Sequence, residues 1–165
     1  MNANVARSVC LLLVCGVPVT AQVAVVPTHD QKALLSSKDP RLAQNKKLVY
    51  DFWRIVLEAG HVEAVDQFIS EGYIQHNPNV ATGKQGLVAY IKRWVKPTPI
   101  ADVARSPLIS ITAEGDLVVV SEVLIVSAPK APGGHYTTTS FDMFRIEGDK
   151  IVEHWDSESL DPPPS

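Results

Sequence analysis

Phe141-Asp142-Met143-Phe144-Arg145-Ile146-Glu147-Gly148-Asp149-Lys150-Ile151-Val152-Glu153-His154-Trp155-Asp156 decides the fold. It reads as two strands joined at Gly148-Asp149, because glycine tolerates the positive φ that a tight hairpin turn needs. Both arms carry β-branched and aromatic residues suited to a half-buried sheet. Asp142, Glu153, His154 and Trp155 interrupt this apolar pattern. A carboxylate on a core-forming strand is costly to bury unless it is paired or used. A register counted from the turn pairs Glu147 with Lys150, Ile146 with Ile151, Phe144 with Glu153 and Asp142 with Trp155. Alternation then puts Asp142, Phe144, Ile146, Ile151, Glu153 and Trp155 on one face. Met143, Arg145, Val152, His154 and Asp156 take the other. A bulge or a one-residue slip exchanges the faces.

Upstream of the hairpin the pattern also has period two. Leu108 to Ala113 and Leu117 to Ser127 read as strands joined by Glu114-Gly115-Asp116, and His135 to Ile146 as the strand that enters the hairpin. Before Pro99 the period is helical. Asp39-Pro40 opens a long helix as N-cap and first residue, and Leu42, Leu48, Val49, Phe52, Trp53, Val56 and Leu57 share its apolar face up to Gly60. A second helix is predicted over His61 to Ile69. A third begins near Thr82, with Leu87, Tyr90, Ile91, Trp94 and Val95 inward, and Pro97 ends it. Between the last two, Tyr73-Ile74-Gln75-His76 is a short extended piece closed by Asn77-Pro78-Asn79. Helices grouped before strands predict an α+β fold: three N-terminal helices on a curved antiparallel sheet that encloses a pocket.

The chain of 165 residues suits one domain with a core of its own. A formal net charge of −3 gives no basic field for nucleic acid. Arg7 followed by the apolar run Val9 to Val14 and by Val19-Thr20-Ala21 reads as a signal peptide over residues 1–21, cleaved before Gln22. The run is too short for a stable membrane span. A cytosolic extension, or lipidation at Cys15, are the alternatives. Both cysteines, Cys10 and Cys15, fall inside this segment, so the mature protein is expected to hold no thiol. Residues 22–39 read as a flexible linker, 40–160 as the domain and 161–165 as a tail. The expected location is periplasmic or secreted.

Tyr73-Ile74-Gln75-His76-Asn77-Pro78, then Gly83 and Gly86 with an apolar helix, then the terminal hairpin, resemble the SnoaL-like branch of the NTF2-like (cystatin-like) superfamily. The resemblance spans roughly residues 43 to 157. It implies an α+β cone around an apolar pocket, often in a homodimer built through the outer sheet face. Polyketide cyclases of the aldol type in this group use a pocket aspartate as acid/base and no metal. That role is carried onto Asp142, where desolvation beside Phe144 and Trp155 would raise a carboxylate toward neutrality. A backbone or arginine partner for Asp142 is the structural alternative.

His76 is the second candidate, as a donor to a substrate carbonyl or as holder of a water; the alternative is a histidine that locks the turn. Asn77 offers an amide donor, or serves the turn itself. Tyr73, Phe144, Trp155, Trp53, Tyr90 and Trp94 are read as pocket wall or core. The five histidines show no His-x-x-x-His spacing. No Gly-x-Ser-x-Gly elbow or phosphate-binding glycine loop occurs. No metal or cofactor is therefore expected. Two functions follow. One is an exported, cofactor-independent acid/base enzyme of cyclase, isomerase or lyase type acting on a small apolar carbonyl compound. The other is a non-catalytic protein that binds a hydrophobic ligand or serves as a dimeric scaffold.

Overall fold

The computed structural model describes residues 23–161. The signal-peptide segment, both cysteines and residues 162–165 lie outside the described residues. Helix α1 (Pro40–Phe52) starts where Asp39 accepts a hydrogen bond from the Arg41 amide. It runs on into a π-helical turn, Trp53–Glu58. Such a turn inserts a residue into the helical repeat and re-aims the side chains beyond it. The segment expected as a second helix is a 3₁₀ stretch, Val62–Gln67. Strand β1 (Ile69–Gln75) begins directly behind it, so β1 is longer than the four residues predicted. Helix α2 (Lys84–Trp94) follows the strand. The expectation of three N-terminal helices is therefore corrected. Two α-helices are present among the described residues, and one stands after β1.

Strands β2 (Leu108–Glu114), β3 (Leu117–Ser127), β4 (His135–Glu147) and β5 (Lys150–Asp156) form the predicted meander. The sheet order is β1-β5-β4-β3-β2. β1 adds to β5 in parallel, so the sheet is mixed and not wholly antiparallel. Gly148 takes φ 61° in the hairpin turn, as its position requires. Phe52, Val56, Val118, Val120, Phe144 and Ile151 are almost fully buried between α1 and the sheet. Phe144 meets Phe52 edge-on at 6.1 Å.

The hairpin register differs from the one counted from the turn. Ile146 faces Ile151, but Arg145 faces Glu153, Phe144 faces His154 and Asp142 faces Asp156. One extra residue on β5, at Val152, forms a bulge between those rungs. The reason lies in burial. Ile151 is fully buried and His154 nearly so, three positions apart, and strict alternation cannot turn both inward. The bulge does so, and it leaves Glu153 outside, opposite Arg145, whose Nε donates to it at 3.0 Å. His154 and Asp156 thus join Asp142 and Phe144 on the inner face, while Trp155 goes to the outer one.

The stretch expected as a flexible linker is fastened to the domain. The Val25 amide donates to Thr137 Oγ1 at 2.9 Å and the Thr28 amide to the Leu108 carbonyl at 2.8 Å. Gln31 Nε2 donates to the carbonyls of Ala104 and Ser106, and the Tyr50 hydroxyl bonds Gln31 Oε1. Leu34 and Leu35 pack against the core. No helix among the described residues is long and apolar enough to cross a membrane.

Candidate functional site

A cavity of about 220 Å³ lies between α1, its π-helical turn, α2 and the inner face of β1, β5, β4 and β3. Phe52, Trp53, Leu57, Val80, Leu87, Tyr90 and Phe144 supply its apolar wall. Tyr73, Gln75 and Asn77 enter from β1 and the turn behind it, because alternate residues of an extended chain share a face. Asp142 and Ser140 come from β4, His154 and Asp156 from β5, and Glu122 from β3. Of the residues predicted for the site, Asp142, Tyr73, Asn77, Phe144, Trp53 and Tyr90 line this cavity.

His76, Trp155 and Trp94 are not among its lining residues. His76 and Trp155 lie on the outer face, stacked in parallel with centroids 5.1 Å apart. His76 Nε2 contacts Glu153 Oε1 at 2.8 Å, and the Arg145 guanidinium sits 5.4 Å from the Trp155 ring centre. Trp94 is largely exposed beneath the Arg93 guanidinium. The pairing of Asp142 with His76 across one pocket is thus replaced. The histidine beside Asp142 is His154, which the register counted from the turn puts on the opposite face. Period-two alternation along Tyr73-Ile74-Gln75-His76-Asn77 would have excluded His76, since Tyr73, Gln75 and Asn77 occupy one side. Nothing in the local sequence marks the bulge that turns His154 inward.

Hydrogen bonds fix the proton positions around His154. The Asn77 amide donates to Gln75 Oε1 at 2.9 Å. A backbone N–H can only donate, so the Gln75 atom facing it is the oxygen. Gln75 Nε2 then donates to the Tyr73 hydroxyl at 3.0 Å. His154 Nδ1 lies 2.9 Å from the same Gln75 oxygen, so Nδ1 carries a proton. The other ring nitrogen, Nε2, lies 3.0 Å from Asp142 Oδ1. Two acceptors do not sit at that distance without a hydrogen between them, so the pair holds a further proton on Nε2 or on Oδ1. Phe144 covers the imidazole, with ring centres 4.7 Å apart. Both partners are mostly withdrawn from solvent, with side-chain exposures of 10% for His154 and 18% for Asp142.

Asp156 stands directly across from Asp142 on one rung of the hairpin. Like charges in that position repel. Asp156 is held by a separate set of donors: Asn77 Nδ2 at 2.7 Å and the Glu158 amide at 3.1 Å. The Asn77 side chain is itself oriented by the Asn79 amide, which donates to its Oδ1 at 2.8 Å. Asn77 therefore serves the turn and the site at once. Burial, with Asp156 and Asp142 adding to it, pushes the Tyr73 phenol well above its usual range. Tyr73 thus keeps its proton and remains a donor at the cavity. Burial also raises the Glu122 carboxyl, helped by the charges of Asp142 and Glu58 and opposed by a hydrogen bond from Ser106. Glu122, Gln75 and Asp156 are site residues that sequence reasoning did not single out, and His154, noted in the hairpin, was placed on the other face.

Asp142, His154 and Asp156 each bring a ligand-type atom within 4.8 Å of the other two, a donor set that in kind suits a divalent cation. Here the Nδ1 side of the imidazole is committed to Gln75, Nε2 to Asp142, and Asp156 to Asn77 and Glu158. The arrangement as it stands is that of a proton-holding pair: a carboxylate oxygen beside a buried imidazole, in a cavity with one aromatic wall.

A family model for the SnoaL-like domain matches residues 49–154. No curated protein sequence matches the chain. Among solved structures, a proposed polyketide cyclase from Acidithiobacillus ferrooxidans is 19% identical at a TM-score of 0.50, covering 74% of this chain and 89% of that one. A protein of unknown function with a cystatin-like fold from Xanthomonas campestris is 17% identical at 0.48, over 68% of this chain and 88% of that one. An LEH-like epoxide hydrolase from M. tuberculosis is 14% identical at 0.49, over 72% and 81%. At such identities the likeness is one of fold. The family match runs from the last turn of α1 to His154 and so takes in the helical wall, β1 and both partners of the buried pair: the chain belongs to the SnoaL-like domain family.

Proposed function

We propose that the protein is an acid/base enzyme that moves a proton on a small, partly apolar carbonyl compound held in this cavity. The observation that carries the reading is the Asp142–His154 contact at 3.0 Å, in which Gln75 dictates the protonated nitrogen. Asp142 Oδ1 engages the imidazole, and Oδ2 is the oxygen left to take a proton from substrate carbon. Proton abstraction next to a carbonyl needs such a group beside a surface that binds the carbon skeleton. Phe52, Trp53 and Phe144 are that surface. Aldol-type cyclisation, isomerisation and elimination all begin with this step, and the choice among them depends on the substrate.

The sequence adds two proposals of context. Export to the periplasm or beyond rests on Arg7, the apolar run Val9 to Val14 and Ala21. A homodimer through the outer sheet face is favoured by the exposure of Ile125 and Phe141 there. The test of the enzyme reading is hydrogen–deuterium exchange at the α-carbon of small ketones in D₂O, followed by proton NMR. Exchange that is catalysed by the wild type and lost in a folded Asp142→Asn variant supports it. Equal exchange in that variant removes Asp142 from the reaction. Binding of ketones without catalysed exchange by the wild type would favour a ligand carrier instead.

A further inference from the structure

Glu122 is a carboxylic acid in an otherwise apolar and hydroxyl-bearing strand, and the proton pair at Asp142 does not use it. On β3 and β4, Val120 faces Asp142 and Glu122 faces Ser140. Glu122 is thus the diagonal neighbour of Asp142 on the same inner face, a separation of about 7–8 Å between backbones in a sheet of this kind. Both side chains line the cavity. A small molecule seated between them would meet a carboxyl group on each side.

The two groups have different surroundings. Asp142 leans on an imidazole. Glu122 has no cationic partner among the groups that act on it: Asp142 faces it from β4, Glu58 from the π-helical turn, and Ser106 from the loop before β2. Glu58 is engaged by the amides of Arg105 and Ser106 at 2.7 and 2.8 Å. The Ser106 hydroxyl accepts from Trp53 Nε1 at 3.1 Å, which leaves its own hydrogen for Glu122. An indole N–H only donates, so Ser106 accepts from Trp53 and keeps its own hydroxyl hydrogen to give. The other Glu122 oxygen is the one that can present a proton to the cavity. Burial, with the charges of Asp142 and Glu58, raises the Glu122 carboxyl above the usual glutamate range, against the influence of Ser106.

We propose that Glu122 is a second acid of the cavity, which donates its proton to a substrate oxygen while Asp142 takes a proton from the adjacent carbon. This rests on the acid/base reading of Asp142 and adds the requirement that the substrate carry an acceptor oxygen next to the acidic C–H. The step balances. The C–H bond breaks and its proton goes to Asp142 Oδ2. The electron pair forms the C=C bond, and the carbonyl π pair moves to oxygen. That oxygen takes the Glu122 proton and becomes an enol hydroxyl, leaving Glu122 as carboxylate. Collapse of the enol, with protonation at carbon, returns both protons.

Two readouts separate the claim from the reading it rests on. The first needs no substrate: carboxyl ¹³C NMR titration of glutamate-labelled protein. One glutamate carboxyl is expected to titrate above the others, to vanish in Glu122→Gln and to move down in Asp142→Asn. Glu122 titrating with the exposed glutamates overturns the proposal. The second uses cyclohexanone as probe. Its bound carbonyl stretch is expected at lower frequency than in water, to revert in Glu122→Ala and to be largely kept in Glu122→Gln and in Asp142→Asn. A shift that persists in Glu122→Ala overturns the proposal. Exchange of the probe's α-protons is expected to fall about 100-fold in Glu122→Ala. If the wild type exchanges no α-protons while the carbonyl shift still depends on Glu122, the donor role of Glu122 stands and the base role of Asp142 falls.

Discussion

The hairpin of β4 and β5 carries a histidine–carboxylate contact on each face, and the two have different chemistry. Inside, His154 meets Asp142 at 3.0 Å beneath Phe144, with Gln75 holding the far nitrogen. Outside, His76 meets Glu153 at 2.8 Å, stacked on Trp155, with its side chain 43% exposed and Arg145 sharing the carboxylate. Distance alone does not tell these pairs apart. Water, and a second charge of opposite sign, do. The outer carboxylate is already neutralised by an arginine and its histidine is solvated, so it is poorly placed to exchange protons with a bound molecule. The inner carboxylate has no arginine or lysine partner among the described residues, and a second carboxylate, Asp156, stands 4.0 Å from His154 Nδ1.

The largest expected difference between the faces is catalytic. Asp142→Asn is expected to lower a turnover or exchange rate by about 10²–10⁴-fold, the usual contribution of a positioned acid/base group. Steady-state kinetics on any ketone that the wild type exchanges will read it. Gln75→Leu comes next. It leaves both partners of the inner pair but removes the acceptor that selects the Nδ1 proton. A loss of about 10–100-fold is expected, as for other residues that orient a reacting imidazole. Restoration of rate by Gln75→Glu, which keeps an acceptor, would separate orientation from packing.

Stability against pH provides a third contrast, with opposite signs on the two faces. Burial raises the Glu122 carboxyl, so the folded state favours its protonated form. Its stabilising contribution is full below the ordinary glutamate range and is lost as pH rises through its folded value. The His76 hydrogen bond, followed by that of Arg145, lowers the Glu153 carboxyl. That contribution is present above the ordinary range and is lost as pH falls through the folded value. Thermal midpoints of Glu122→Gln should therefore fall less than wild type on the alkaline side. Those of Glu153→Gln should fall less on the acid side. The smallest effect belongs to His76→Ala, where rate should stay within about threefold of wild type, as for surface changes generally. A loss like that of Asp142→Asn would erase the distinction between the faces.

What could be read from residue order and what could not divides along the same line. The meander, the Gly148 turn, the cap at Asp39 and the apolar face of α1 are local properties and were readable. Asp142 was readable too, as a carboxylate in an apolar strand. By the same criterion Glu122 was visible, alone among Val118-Val119-Val120 and Val123-Leu124. The bulge at Val152 was not, because it answers to the joint burial of Ile151 and His154 in a core that includes segments distant in sequence, such as Phe68 and Gln75. Missing it exchanged His154 for Trp155. The parallel pairing of β1 with β5 is likewise a long-range choice, and it brings Gln75 opposite His154. The expectation for Asp142 therefore has the right strand and the right neighbour in Phe144, and the wrong one in Trp155.

The most direct measurement is ¹⁵N NMR of the imidazole of His154 in the wild-type protein near neutral pH, assigned by comparison with His154→Gln. A firmly protonated Nδ1 is expected, with an Nε2 signal that shifts when Asp142 is replaced by asparagine. An Nδ1 carrying a free lone pair, with an Nε2 indifferent to Asp142, would contradict the Asp142–His154 pairing.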